Sequence, residues 1–271
     1  MSLEKQAIKF IKMVAKNTDK PLYAGNSGGK DSAVIDKLLQ LSDIKYNSYY
    51  TNTTIDPPGT IKHIRDNYKH TQILQPKESF LALVKRKGLP TRLSRYCCEH
   101  LKEYGSVGKI VFEGIRSEES SKRKNRDYIQ CDTRKWQNGA QHVYPIYDWT
   151  DKHVYNFIEK YKIKLAPHYK YANRLGCIAC PIISKKGQRR KELALYPKYY
   201  TVIKRAITLG MIHNPQWKIS VATNGNGEAA MNWWLSGKTM DEYFNTYSFE
   251  KTKAGWVKNK KKGYIQQQIS F

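Results

Sequence analysis

The feature that most constrains this chain is the hexapeptide Ser27-Gly28-Gly29-Lys30-Asp31-Ser32, set between a short apolar run and a helix-periodic segment. Leu22-Tyr23-Ala24 reads as a buried strand. Ala33, Ile35, Leu38 and Leu39 recur at helical spacing, with Ser32 opening the helix. Two adjacent glycines let the backbone pass close to a ligand and permit positive φ. Successive amide N–H groups then face inward as an anion nest, reinforced by the positive end of the following helix. Lys30 and the hydroxyls of Ser27 and Ser32 add donors. The loop is not of the Walker A type, because Ala24 stands where that pattern needs glycine and Asp31 where it needs serine or threonine. A carboxylate beside a phosphate cradle is repelled unless it orients a metal or a donor, so Asp31 points to Mg²⁺ bridging the phosphates.

The remaining periodicity extends this strand–turn–helix unit. Helices are expected over 4–17, 60–68, 78–87 and 152–161, with strands near 46–50, 71–74, 109–112 and 143–146. Residues 116–141 are polar and read as a long loop. Alternation of this kind predicts an α/β fold, a doubly wound and mostly parallel sheet of about five strands, with ligands at the carboxyl ends of the strands. After Pro181 the pattern turns helical, with 188–209 the longest candidate, and then basic and aromatic, with Trp233, Trp234, Trp256 and a Lys258–Lys262 cluster. The expected organisation is a nucleotide-binding domain over 1–182 and a helical, basic extension over 183–271, with a soft boundary.

Charge narrows the partners. Lys plus Arg number 48 against 23 Asp plus Glu, a formal net charge of +25. Such a field attracts polyanions. A small phosphorylated substrate needs only a few cations, so the excess points to nucleic acid. With 40% hydrophobic residues the chain has material for a core, which excludes wholesale disorder. No apolar run approaches a membrane span, and Lys5, Lys9, Lys12 and Lys16 interrupt the N-terminal segment. A cytoplasmic protein with no membrane partner is expected.

The hexapeptide resembles the signature of the PP-loop ATP pyrophosphatases, the adenine nucleotide alpha hydrolase-like group. Further segments are similar to the phosphoadenosine phosphosulfate reductase family: Asn52-Thr53-Thr54-Ile55-Asp56-Pro57-Pro58, then Gly114-Ile115-Arg116-Ser117-Glu118-Glu119-Ser120 with Arg123, then Tyr144-Pro145-Ile146 with Trp149 and Asp151. The resemblance runs from about Leu22 to Pro181. It implies ATP with Mg²⁺ as ligand and nucleotide contacts from Ser27, Gly28, Gly29, Lys30, Asp31, Ser32, Thr53, Gly114 and Arg116. Lys30, Asp31 and Arg116 would act in catalysis. A guanidinium fork at Arg116 suits a phosphate or sulfonyl group.

Cysteine placement adds a second motif. Cys97-Cys98 are adjacent, and Cys177 and Cys180 form a Cys-x-x-Cys. Two distant pairs converging give a four-thiolate site. Adjacent cysteines on a helix point about 100° apart, which suits neighbouring irons of one cubane better than chelation of one small ion. The adenylylsulfate-reducing branch of the family has this arrangement and binds a [4Fe-4S] cluster there. The resemblance thus implies a [4Fe-4S] cluster on Cys97, Cys98, Cys177 and Cys180, with zinc as the alternative. Reductases of the family also carry a catalytic cysteine near the C-terminus, whereas here none follows Cys180 and the sequence closes Gln268-Ile269-Ser270-Phe271. A thiolate is the nucleophile that chemistry requires. The leading expectation is therefore an adenylating, sulfurtransferase-type enzyme acting on DNA or tRNA, with a sulfur-donor protein as a further partner. The alternatives are a sulfonucleotide reductase using Cys131 or an external thiol, and a non-catalytic nucleotide- or nucleic-acid-binding protein.

Overall fold

Strands β1 (Leu22–Gly25), β2 (Asn47–Thr51), β3 (Thr71–Leu74), β4 (Ile110–Phe112), β5 (Ile129–Cys131) and β6 (Gln141–Val143) form one sheet in the order β3-β2-β1-β4-β6-β5. This is a computed structural model, and it describes residues 1–261 apart from 122, 184 and 186. Lys262 and Gln268–Phe271, singled out in the sequence, lie outside the described residues. The pairs β1–β2, β1–β4, β2–β3 and β4–β6 are parallel. The turns after β1, β2 and β4 therefore share one edge, the carboxyl edge where ligands bind in such sheets.

The α/β class and the mostly parallel sheet are as expected, with one strand more. The addition is β5, antiparallel to β6, inside the polar stretch read as loop. Ile129 and Cys131 are exposed edge residues, so the segment carries no buried-strand signature. The strand expected at 143–146 is instead β6, ending at Val143. Pro145 has no N–H to give a ladder, and the Tyr147 amide turns back to the Tyr144 carbonyl at 3.2 Å.

The described chain divides into two compact units, Met1–Lys77 with Cys98–Cys177, and Glu78–Cys97 with the chain from Ile178 onward. In this division the second segment of the first unit ends at Cys177, and residues 78–97 group with the chain from Ile178 onward. In the first unit, helices Leu3–Lys16, Lys30–Leu41 and Asp151–Lys160 bury Ile11, Ile35, Leu38, Phe157 and Ile158 against Leu22, Ala24, Ile110, Phe112 and Val143. Every second residue of β1 and β4 thus faces this core, as the period of a strand requires. Gly105 packs against the opposite side of the sheet, where a Cβ would sit 2.6 Å from the Tyr49 ring.

The second unit is built from helices Phe80–Lys87, Gln188–Leu195, Pro197–His213, Lys218–Thr223 and Gly227–Ser236, and a hairpin β7 (Tyr247–Thr252)–β8 (Gly255–Lys260). The single helix expected over 188–209 is broken at Tyr196, whose φ of −134° and ψ of 66° are not helical. Pro197 is the cause, because proline forces the preceding residue out of the α region yet fits the first turn of a new helix. Trp233 and Trp234, 4% and 3% exposed, are interior residues of the helix Gly227–Ser236 rather than part of a basic surface.

Leu38, wholly buried between helix and sheet, tests this packing. Leu38→Ala should cost the full chain about 2–5 kcal/mol in denaturant unfolding. A loss well below 1 kcal/mol would contradict the core described.

Candidate functional site

The turn after β1 is held by its own side chains. Gly28 has φ +72°, and a Cβ there would meet Ile64 and Leu175 at 3.3 Å, so only glycine sits without strain. Buried Asn26 accepts the Gly28 amide at 2.9 Å. The Ser27 amide donates to Ser32 Oγ at 3.1 Å, and Ser32 Oγ donates to the Gly29 carbonyl at 2.9 Å. Gly29 N–H reaches Ser27 Oγ at 3.3 Å and Lys30 N–H reaches the Tyr169 hydroxyl at 2.8 Å. The four amides of the expected nest are thus turned onto side-chain oxygens. Ser32, expected as a donor to ligand, staples the loop. Ser27 and Tyr169 hold their amides through hydroxyls, which can rotate away in favour of a stronger anionic acceptor.

The helix Lys30–Leu41 begins at Gly29 with no side-chain cap, which leaves its positive end to an anion. Lys30 Nζ, on a residue 6% exposed, lies 2.9 Å from Asp31 and 3.0 Å from Asp151. Arg116, 2% exposed, joins both acids: Nε donates to Asp31 at 2.9 Å and Nη2 to Asp151 at 2.6 Å. Its Nη1 serves Glu118 at 3.0 Å and the Trp149 carbonyl at 3.1 Å. Glu119 accepts the Arg116 amide at 3.0 Å and pairs with Arg123. A buried guanidinium is tolerated only when its donors are met this completely.

Burial alone would raise the Asp151 carboxyl, but hydrogen bonds and charge from Lys30 and Arg116 outweigh it and hold the group below its ordinary value. The stabilisation from this pairing is therefore present at neutral pH and fades as pH falls below the usual carboxylate range.

Gly114 explains how the segment after β4 reaches the loop. A Cβ on it would stand 2.6 Å from the Asp31 carbonyl carbon and 2.7 Å from Asp31 Cβ, so any side chain would push the two strand ends apart. Thr53 lies just beyond the end of β2. It is 1% exposed, and its hydroxyl accepts the Ile55 amide at 3.4 Å in the turn after β2. Asp56 closes that turn, accepting the Tyr50 hydroxyl at 2.5 Å.

The structure thus brings together Lys30, Asp31, Gly114 and Arg116 with the loop 27–32. Asn26 and Tyr169 join them without having been picked out from the sequence, while Glu118, from the Gly114–Ser120 segment, enters as a partner of Arg116 and Asp151 as a direct partner of both cations. Mg²⁺ needs only one or two carboxylates besides phosphate oxygens, and Asp31 and Asp151, both within 3.0 Å of Lys30 Nζ, are the donors suited to it.

The cysteines present a different picture. Cys97 and Cys98 lie in the helix Tyr96–Leu101 and, like Cys177 and Cys180, are half-buried. Within the Cys-x-x-Cys, Ala179 adopts φ +53°. Its amide is held by Glu192 at 3.0 Å and its carbonyl by Arg189 at 3.2 Å, two buried residues that no local pattern flags. The thiol set suits iron or zinc chemically. Among the described residues, however, no group of three or more His, Cys, Asp or Glu side chains is gathered to hold a metal ion. Cys131 is exposed at the β5 edge. No helix of the described residues is long and apolar enough to cross a membrane.

Known proteins share these features in part. The phosphoadenosine phosphosulfate reductase domain matches residues 22–183. An uncharacterized protein of Methanocaldococcus jannaschii is 29% identical over 214 residues, 73% of this chain. The match covers 43% of that relative, so this chain spans less than half its length. An adenosine 5'-phosphosulfate reductase of Allochromatium vinosum is 25% identical over 197 residues, covering 65% of this chain and 74% of that protein. Among solved structures, a phosphoadenylyl-sulfate reductase from Candida auris superposes with a TM-score of 0.49 at 17% identity, over 65% of this chain and 92% of the other. With more than half of its length matched, together with a glycine-rich turn at the sheet's carboxyl edge, this chain belongs to the phosphoadenosine phosphosulfate reductase domain family.

Proposed function

We propose that this protein is an ATP-dependent adenylating enzyme that prepares an oxygen on a nucleic acid, DNA or tRNA, for replacement by sulfur. The observation that carries the reading is the convergence of Lys30, Asp31 and Arg116 beside the uncapped helix start at Gly29. In the proposed reaction an acceptor oxygen attacks the α-phosphorus of ATP, and the bond from that phosphorus to the bridging oxygen breaks as pyrophosphate leaves. Hydrogen sulfide ion, released at the site by a donor protein, then attacks the carbon bearing the adenylated oxygen; AMP departs with that oxygen, and loss of the sulfur's proton leaves the thiolated product.

The chain's own residues contribute electrostatics to the first step. Charge builds on the leaving pyrophosphate, and the loop amides with Lys30 Nζ are the donors that would meet it on leaving their present side-chain acceptors. Lys30 exchanges its present carboxylate partners for phosphate oxygens. Arg116 stays anchored through Glu118 and the Trp149 carbonyl and turns the fork now shared by Asp31 and Asp151 towards the α-phosphate. Mg²⁺, held through Asp31, would neutralise charge on the phosphates when bound.

The nucleic-acid partner is supported by the net charge of +25 and by the second unit's hairpin. Lys251, Lys253 and Lys260 are exposed there, and Lys258 Nζ lies 4.2 Å from the Tyr247 ring centre. Such a mixture of cations and rings suits a phosphate backbone with an occasional stacked base. The half-buried Cys97, Cys98, Cys177 and Cys180 are proposed to hold a [4Fe-4S] cluster, with zinc as the alternative, on the strength of their pattern. A second reading, reduction of adenylylsulfate, is favoured by the 25% identity to the Allochromatium enzyme.

Lys30→Ala should weaken ATP binding by about tenfold or more, the range of a charge-assisted contact, in a protein that still folds; equal affinities in a calorimetric titration would remove the loop from the nucleotide site. Given ATP and bulk tRNA or DNA, the protein should release pyrophosphate, whereas sulfite formed from adenylylsulfate and a thiol reductant would establish the second reading instead. Protein purified without oxygen should be brown and contain about four irons, lost in Cys177→Ser. A colourless, zinc-bearing product would refute the cluster.

A further inference from the structure

We propose that the second unit carries its own phosphate-binding pocket, walled by Arg92, Lys185, Arg189, Trp233 and Lys238. The proposal does not depend on the nucleotide reading of the first unit. The pocket has a volume of about 160 Å³, and among the described residues its wall includes no Asp or Glu. Four cationic side chains facing one small cavity without an acid leave positive charge uncompensated in a partly desolvated space, where charge interactions are strong.

Two buried donors sharpen the argument. Arg189 is 6% exposed, and its Nε and Nη1 serve the carbonyls of Ala179 at 3.2 Å and Trp234 at 2.6 Å. Its Nη2 is buried with no hydrogen-bond partner among the described residues. Trp233 is 4% exposed, and its indole Nε1 likewise finds no acceptor among them. Leaving a buried donor unsatisfied costs about 1–3 kcal/mol, so a pocket walled by two such side chains is built for an acceptor that arrives from outside. Glu192, one turn along the helix from Arg189, is engaged with the Ala179 amide at 3.0 Å. Gly187, also in the wall, starts the helix Gln188–Leu195 with φ +77° and no side-chain cap, so the positive end of that helix adds to the field.

Several cations with one neutral N–H donor, Trp233 Nε1, match a multiply charged group that has oxygens on all sides. A carboxylate, with two coplanar oxygens, would be met by one guanidinium alone. The cavity is also well below the roughly 300–1,000 Å³ that encloses a drug-sized ligand. It therefore takes the phosphate group and leaves the remainder of any phosphorylated ligand outside. Free phosphate and the phosphate of a mononucleotide share this chemistry.

The test titrates the full chain, in a Lys30→Ala background that removes the loop cation, with inorganic phosphate followed by calorimetry and ³¹P NMR. Saturable binding is expected, weakened about tenfold by Arg92→Ala with Lys238→Ala, both exposed positions, as loss of charged contacts predicts. Trp233→Phe, which keeps the ring and removes the N–H, should weaken it several-fold. Lys12→Ala with Lys198→Ala, both exposed positions, removes the same charge elsewhere and should leave affinity unchanged. In a second arm AMP competes with phosphate: displacement assigns the pocket to a phosphate ester, and its absence assigns it to free phosphate. No saturable binding, or an affinity equal in wild type and both pocket variants, overturns the proposal.

Discussion

The buried guanidinium of Arg116 is the interaction on which the first unit's site depends. It meets Asp31 at the start of one helix, Asp151 at the start of another, Glu118 in its own segment and the carbonyl of Trp149. A cation this deeply buried is costly unless every donor is satisfied, and removing one partner costs more than the pair contributed. The carboxyl edge of the sheet is thereby fixed around one charge, and the glycine-rich loop is fixed with it through Asp31 and Lys30.

That arrangement also supplies an electrostatic reason for the site's resting state. Lys30 and Arg116 are held by Asp31, Asp151 and Glu118, so the site is close to balanced without a ligand. A polyphosphate adds several negative charges and is admitted only if carboxylates exchange partners or a divalent cation enters with it. The amides of the loop follow the same logic, since each donates to a side-chain oxygen that a stronger anionic acceptor can replace.

Much of this was legible in the sequence because it is local. The Gly28-Gly29 pair announces a turn that needs positive φ and close approach, and the apolar residues at 33, 35, 38 and 39 announce the helix behind it. Gly114 was legible as a motif residue, while its physical role, clearance for Asp31, needed the fold. Tyr169 lies 139 residues from the amide it accepts, and no spacing rule reaches that far. The break at Tyr196 was within reach of the rule for residues that precede proline and was overridden by a continuous helical pattern. β5 stayed hidden because an exposed edge strand of three residues has no apolar alternation. Arg189 and Glu192 look like ordinary charged helix residues until their burial beside Ala179 is known.

The central claim is that the turn at residues 27–32 holds the triphosphate of an adenosine compound. A crystal structure with a non-hydrolysable ATP analogue and Mg²⁺ tests it most directly. The account predicts phosphate oxygens where the Tyr169 hydroxyl now meets the Lys30 amide, with Lys30 Nζ moved from Asp151 onto the β- or γ-phosphate. A triphosphate bound elsewhere, with Tyr169 and Lys30 keeping their present partners, would contradict it.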